Sequence, residues 1–154
     1  MSEHYSEDIA IFMAGMVVDA YLEEDTFKEK HKDDNYEKIE LIDIKETDTQ
    51  CYFLENDKNI YFVFRGTEFN AKDFFSDIYV LKEPWEHGKI HNGFLKSMKS
   101  IWEEIKKRLS KDKKVYFSGH SLGGALATLG AAFCVFEENI VEGPVEAKLS
   151  WEAR

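Results

Sequence analysis

Gly119-His120-Ser121-Leu122-Gly123 sets a serine between two glycines, each two residues away. This G-x-S-x-G spacing is that of a nucleophile elbow, a sharp turn from strand to helix that lifts a serine oxygen clear of the backbone. The neighbours supply that context: Val115-Tyr116-Phe117 is a short strand, and Leu122 to about Phe136 is an alanine-rich helix. The glycines have a steric reason, because a nucleophile at a strained angle leaves no room for side chains two residues either side. The helix that begins at Leu122 aims its free N–H groups and positive end at the serine, which suits an oxyanion. The implied chemistry is acyl transfer through an activated hydroxyl. The competing reading is a glycine-rich turn that only packs helix on strand.

Several elements must hold that turn in place. Ile9, Phe12, Met13, Met16, Val17, Ala20 and Tyr21 recur as the stripe of one helical face, so a helix is expected from Ser6 to Glu23, with both methionines as core filling. Residues Glu24 to Lys38 carry mixed charge with little periodicity and read as a solvated loop or frayed helix end. Two extended stretches follow, Ile39 to Ile44 and Gln50 to Leu54, then the turn formers Glu55 to Asn59. The return arm of that hairpin, Ile60-Tyr61-Phe62-Val63-Phe64, is apolar throughout and reads as a central strand buried on both faces. A helix over Gly93 to Leu109 is marked by Phe94, Met98, Ile101, Trp102, Ile105 and Leu109, and its basic outer residues read as a solvated face. Val145, Ala147, Leu149 and Trp151 alternate with polar residues as in a half-exposed strand.

Composition narrows the function classes. At 154 residues the chain suits one domain, and 44% hydrophobic residues with 22 aromatics are enough for a packed core. A net charge of -10 repels phosphate backbones, so no nucleic-acid partner is expected. No apolar run reaches the roughly 18 residues of a membrane span. The first residues lack the basic and small-residue features of a secretory signal, so the sequence reads as cytoplasmic or as lacking its leader. Cys51 and Cys134 stand far apart without ligand-like spacing and read as buried thiols, with no metal site.

Three separated segments then carry a resemblance. Phe64-Arg65-Gly66-Thr67, His91-Asn92-Gly93-Phe94 and Gly119 to Ala127 together resemble the class 3, fungal-type lipase-like family of α/β-hydrolases over about Ile39 to Ala132. The resemblance implies a three-layer α/β sandwich with a mostly parallel sheet. It implies a lipase-like ester hydrolase without cofactor, acting on lipid or other carboxylic esters, with transient contact at a lipid interface. Ser121 takes the place of the nucleophile, and Leu122 and Thr67 those of the oxyanion-hole donors, with Gly119, His120 and Gly123 completing the elbow. Phe69, Phe74, Phe75, Ile78, Tyr79 and Trp85 become lid or acyl-binding candidates, a plain packed helix being the alternative. Asp77, His91 and His120 fall on framework positions.

The partners of the serine are what this sequence lacks. A hydrolase of this class places its acid and histidine after the nucleophile. No His and no Asp occurs after Leu122, and all five histidines, His4, His31, His87, His91 and His120, precede Ser121. The fold is therefore expected to be cut short after the nucleophile helix. The partial domain, 1–154, divides into an N-terminal helix and loop (1–38), a signature-bearing core (39–136) and a divergent tail (137–154). The catalytic acid and base then come from outside it, or else the chain is a pseudoenzyme or lipid-binding interaction module. An open sheet edge beside Val115 to Phe117 would favour self-association or a C-terminal partner segment.

Overall fold

The structure, a computed structural model, describes residues 7–66, 82–85, 88–136 and 146–149. Helix α1 (Glu7–Asp19) leads by a turn into α2 (Glu24–His31). Strands β1 (Lys38–Ile44), β2 (Thr49–Glu55) and β3 (Asn59–Phe64) follow as two successive hairpins. Their registers pair Ile42 with Cys51 and Phe53 with Phe62. At the second hairpin, Asn56 Oδ1 accepts from the N–H groups of Lys58 and Asn59 at 3.0 and 2.8 Å, a side chain taking the place of a backbone turn partner.

A small two-stranded sheet comes next, β4 (Lys82–Trp85) antiparallel to β5 (Gly88–His91), and then helix α3 (Asn92–Lys106). Strand β6 (Lys114–Gly119), helix α4 (Leu122–Phe136) and strand β7 (Glu146–Leu149) complete the described chain. The main sheet runs in the order β1-β2-β3-β6-β7. It is antiparallel through β3 and parallel from β3 onward, with Phe62 opposite Phe117 and Phe117 opposite Ala147. The alternating tail segment thus forms the strand that flanks β6, pairing the edge that the sequence left open.

Side chains alternate across the sheet and build a core on each face. Cys51, Phe53, Phe62, Phe64 and Phe117 pack under α3 and α4 with Met98, Ile101, Trp102, Leu126 and Phe133. Tyr52, Leu54, Tyr61, Val63 and Tyr116 pack under α1 and α2 with Met13, Met16, Val17 and Phe27. Helices therefore cover both faces, giving the three layers of an α/β sandwich. Ring pairs continue across the β3–β6 seam: Tyr61 stacks on Tyr116 at 5.2 Å and Phe62 on Phe117 at 5.1 Å.

Two elements differ from the sequence expectation. Helix α1 stops at Asp19, and within the stretch expected to be a solvated loop or a frayed helix end a separate helix, α2, forms. Only two of its side chains face inward, Phe27 and His31, too few to mark a period. Phe27 is wholly buried and stacks on Tyr52 at 3.8 Å. His31 is held between Asp34 Oδ2 at 2.7 Å and Asp19 Oδ2 at 3.1 Å, tying α2 to the end of α1. The β4–β5 pair was also unforeseen, because four-residue strands with a proline at position 84 show neither alternation nor strand propensity. Replacing Phe27 by Ala should cost about 3–5 kcal/mol, read as a lowered urea midpoint, with α2 losing hydrogen-exchange protection.

Candidate active site

Ser121 sits between the end of β6 and the start of α4, with φ 56°, a left-handed value that side-chain-bearing residues seldom adopt. It is exposed, so the strained turn faces solvent and not the core. The first turn of α4 closes around it: Gly123 N–H donates to the His120 carbonyl at 3.0 Å, and Gly124 N–H to the Ser121 carbonyl at 3.0 Å. Leu122, first residue of the helix, has no carbonyl one turn back within α4 to receive its N–H.

The two glycines of the elbow serve contacts between backbones. A Cβ on Gly119 would run into the backbone of Gly123. A Cβ on Gly123 would lie 2.5 Å from the Phe64 carbonyl oxygen and 3.2 Å from the Arg65 carbonyl carbon. The helix start is thereby pressed against the end of the neighbouring strand β3, whose Phe64 pairs with Gly119 in the sheet. The chain leaving β3 stays close, because a Cβ on Gly66 would lie 2.7 Å from the His120 carbonyl oxygen.

A second layer supports this meeting point. The Tyr21 hydroxyl lies 3.3 Å from His120 Nδ1 and against Gly66. Arg65 donates from Nη2 to the Tyr21 carbonyl and from Nη1 to Gln50 Oε1, and its guanidinium lies 5.9 Å from the Tyr21 ring centroid. The loop after α1, the edge of β2 and the end of β3 are so joined beside the serine. Sequence reasoning assigned Tyr21 to the buried stripe of a longer helix. The signal that would have separated it is the phenol itself, a polar tip that a fully apolar stripe does not require.

Of the residues singled out from sequence, the structure brings Gly119, His120, Ser121, Leu122 and Gly123 together at the elbow, with Gly66 against it. Thr67, Phe69, Phe74, Phe75, Ile78 and Tyr79 lie outside the described residues. Trp85 stacks on Phe133 at 5.7 Å and meets Phe136 edge-on at 5.7 Å, so it covers the far end of α4, about 16 Å along the helix from Leu122. His91 accepts from the Gly93 N–H at 3.2 Å and caps α3. Both nitrogens of His31 face aspartates. Among the described residues no group of three His, Cys, Asp or Glu is placed to hold a metal, and no helix is long and apolar enough to cross a membrane.

Known proteins are similar to this chain in sequence and in fold. A family model described as Lipase (class 3) matches residues 61–148. Lipases of Rhizopus niveus and Rhizopus oryzae are each 35% identical over 101 residues, covering 54% of this chain and 24% of theirs. The solved structure of Rhizomucor miehei triacylglyceride lipase superposes with a TM-score of 0.68 at 21% identity, over 88% of this chain and 58% of that one. A triacylglycerol lipase whose catalytic centre is a serine protease triad superposes at 0.67 with 22% identity, over 87% and 58%. The chain thus spans a quarter of the length of the curated relatives and under two thirds of the solved ones.

The strain at Ser121 is open to measurement. Ser121→Gly should raise stability by up to about 1 kcal/mol, the left-handed penalty of about 1–2 kcal/mol being partly offset by glycine's entropy when unfolded. Ser121→Ala keeps the penalty and should not. Gly123→Ala should lower stability by about 2 kcal/mol or more, since its methyl meets backbone and not a pliable side chain.

Proposed function

The chain belongs to the class 3 lipase family, and from that premise we propose that it carries the nucleophile half of a lipase-like carboxylic ester hydrolase. Ser121 is the acyl acceptor. The observation that carries this is its left-handed backbone at the strand-to-helix turn, held by glycine contacts to β3. Strain of this kind persists only where surrounding packing enforces it, and it clusters at functional sites.

In the proposed reaction Ser121 Oγ attacks the ester carbonyl carbon while its proton passes to a base. The carbonyl oxygen takes up the negative charge and receives the Leu122 N–H, with Thr67 as second donor. Its neighbour in sequence supports this: Gly66 packs against the His120 carbonyl. Each such donor is worth about 3–4 kcal/mol of barrier. Collapse expels the alcohol and leaves an acyl-serine, which water then hydrolyses. The substrates are lipid or other carboxylic esters met at a lipid interface, and acyl transfer of this type requires no cofactor.

We place the acid and base outside these 154 residues. The absence of Asp and His after Leu122 supports this, as do the engagements of His31 with two aspartates and of His91 as a helix cap. The same absence favours a second reading, a lipase-like binding or interaction module that retains the elbow without turnover. Two measurements separate them. On its own the chain should hydrolyse p-nitrophenyl butyrate with the residual of a triad-less site, about 10³–10⁴-fold over water, against a further factor of about 10⁶ when base and acid are present. A fluorophosphonate probe should label Ser121 slowly, Ser121→Ala should not react, and labelling should accelerate when a polypeptide carrying the rest of the domain is supplied. Fast turnover by this chain alone, abolished by Ser121→Ala, would show that one of its own histidines is the base. Failure to accelerate on addition of the rest of the domain would leave the binding module as the function.

A further inference from the structure

Helix α1 is apolar on two faces. No charged residue stands between Asp8 and Asp19, and Met13, Met16 and Val17 face the sheet. The outward side should then be polar, as on any helix that borders water. It instead carries Ile11, Ala14, Gly15 and Val18, at i, i+3, i+4 and i+7, with Ile11 66% and Val18 70% exposed. Gly15 is the informative member. A glycine within a helix costs about 1 kcal/mol relative to alanine, and a Cβ there would meet nothing within 4 Å. Packing inside the described fold gives no reason for it. A second backbone lying against the helix would, because small residues at a helix crossing let the two axes approach.

Beside this stripe lies a groove of about 800 Å³ between α1 and residues 33–36. Phe12, Met16, Tyr36 and Tyr61 form its apolar wall and floor, with the Phe12 and Tyr61 rings 5.4 Å apart. Carboxylates mark its ends: Asp8 at the start of α1, and Asp19, Asp33 and Asp34 toward the other. Asp19 is met by Lys30 and His31, whereas Asp8 and Asp33 carry no ion pair among the described residues. The groove also lies apart from the elbow. Its lining includes none of the elbow residues, and Tyr61, where it reaches β3, stands three positions and about 10 Å before Phe64, the residue the elbow meets.

We propose that this face of α1 is a docking site for a basic amphipathic helix of another polypeptide segment. Charge selects that occupant. Acidic lipid headgroups and phosphates would meet four carboxylates, and a second copy of this chain would set Glu7, Asp8 and Asp19 against their equivalents at a net charge of -10. A helix with an apolar stripe and cationic side chains at its two ends fits both features. The carboxylates left for the partner are Asp8 at one end and Asp33 toward the Asp19 end, eleven residues and about 16 Å along α1, so the cationic positions on the partner should stand about three turns apart.

The probe is a fluorescein-labelled peptide of about 16 residues, a leucine-striped Ala/Gln helix with two lysines at each end. The control peptide has glutamates at those four positions. Anisotropy titrations of the intact chain at low salt should show the lysine peptide binding at least about tenfold tighter than the control, weakening as salt rises. Gly15→Gln, which favours the helix and fills the saddle, should raise Kd about tenfold or more while leaving the melting temperature unchanged or higher. Asp8→Asn with Asp33→Asn should raise Kd about fivefold and flatten the salt dependence. A Kd within about twofold of wild type for Gly15→Gln would overturn the proposal, since binding would then reflect net charge alone. Equal affinity for the two peptides would overturn it as well. So would a dimer in sedimentation that Gly15→Gln dissociates, which would make a second copy the occupant.

Discussion

The approach of the α4 start to the end of β3 is the contact on which the rest of the site depends. Backbone meets backbone there, with Gly123 against the Phe64 carbonyl and Gly119 against Gly123 itself. No side chain can yield to relieve that contact, so the chain between the two glycines has one way through. It passes by a left-handed residue, and that residue is Ser121. Strain at one position thus follows from close packing at two others. The same packing turns the serine outward and aims the start of α4 at it, so exposure and a helix N-terminus come from a single constraint.

Such a turn must stand on something that does not move. The sheet beneath it is buried on both faces, and stacked aromatic pairs cross the β3–β6 seam, Tyr61 on Tyr116 and Phe62 on Phe117. Those pairs place the two strands whose ends form the elbow in one register. Flat rings in contact add to area burial and leave little freedom for the strands to slide. On the N-terminal side, Arg65 and Tyr21 join β2, β3 and the loop after α1. The turn is therefore braced from beneath by apolar packing and from beside by polar contacts.

Both ends of β3 carry chemistry, of opposite kinds. Its closing end meets the elbow, where an exposed serine hydroxyl stands at a helix N-terminus, the place proposed for a carbonyl acquiring negative charge. Its opening end borders the acidic groove along α1, which suits a cation. A sheet wrapped in helices leaves its strand ends as the accessible places, and loops and helix termini there carry the polar groups. The class 3 lipase membership bears on the first end, and the two-faced apolarity of α1 bears on the second.

Local physics made much of this legible before any coordinates. The glycine spacing around Ser121, the apolar run of β3 and the small-residue helix after the serine are each decided by sterics or periodicity within a few residues, so they stand in the sequence. The hairpin of β2 and β3 was legible from the turn formers Glu55 to Asn59, and β1 as an extended stretch, whereas the hairpin between β1 and β2 was not. What only the tertiary structure decided are relations between distant residues. Helix α2 exists because Phe27 finds Tyr52 on a strand twenty-five residues on, and nothing in its own eight residues demands a helix. Tyr21 became part of the site because the turn after α1 ends beside His120, ninety-nine residues away. Strand β7 lies parallel to β6 because a two-face-buried strand needs a neighbour, a demand its own alternation does not specify. Partners so far apart are chosen by the total apolar area and hydrogen bonding of the assembled layers, a sum over the whole chain that no window of sequence contains.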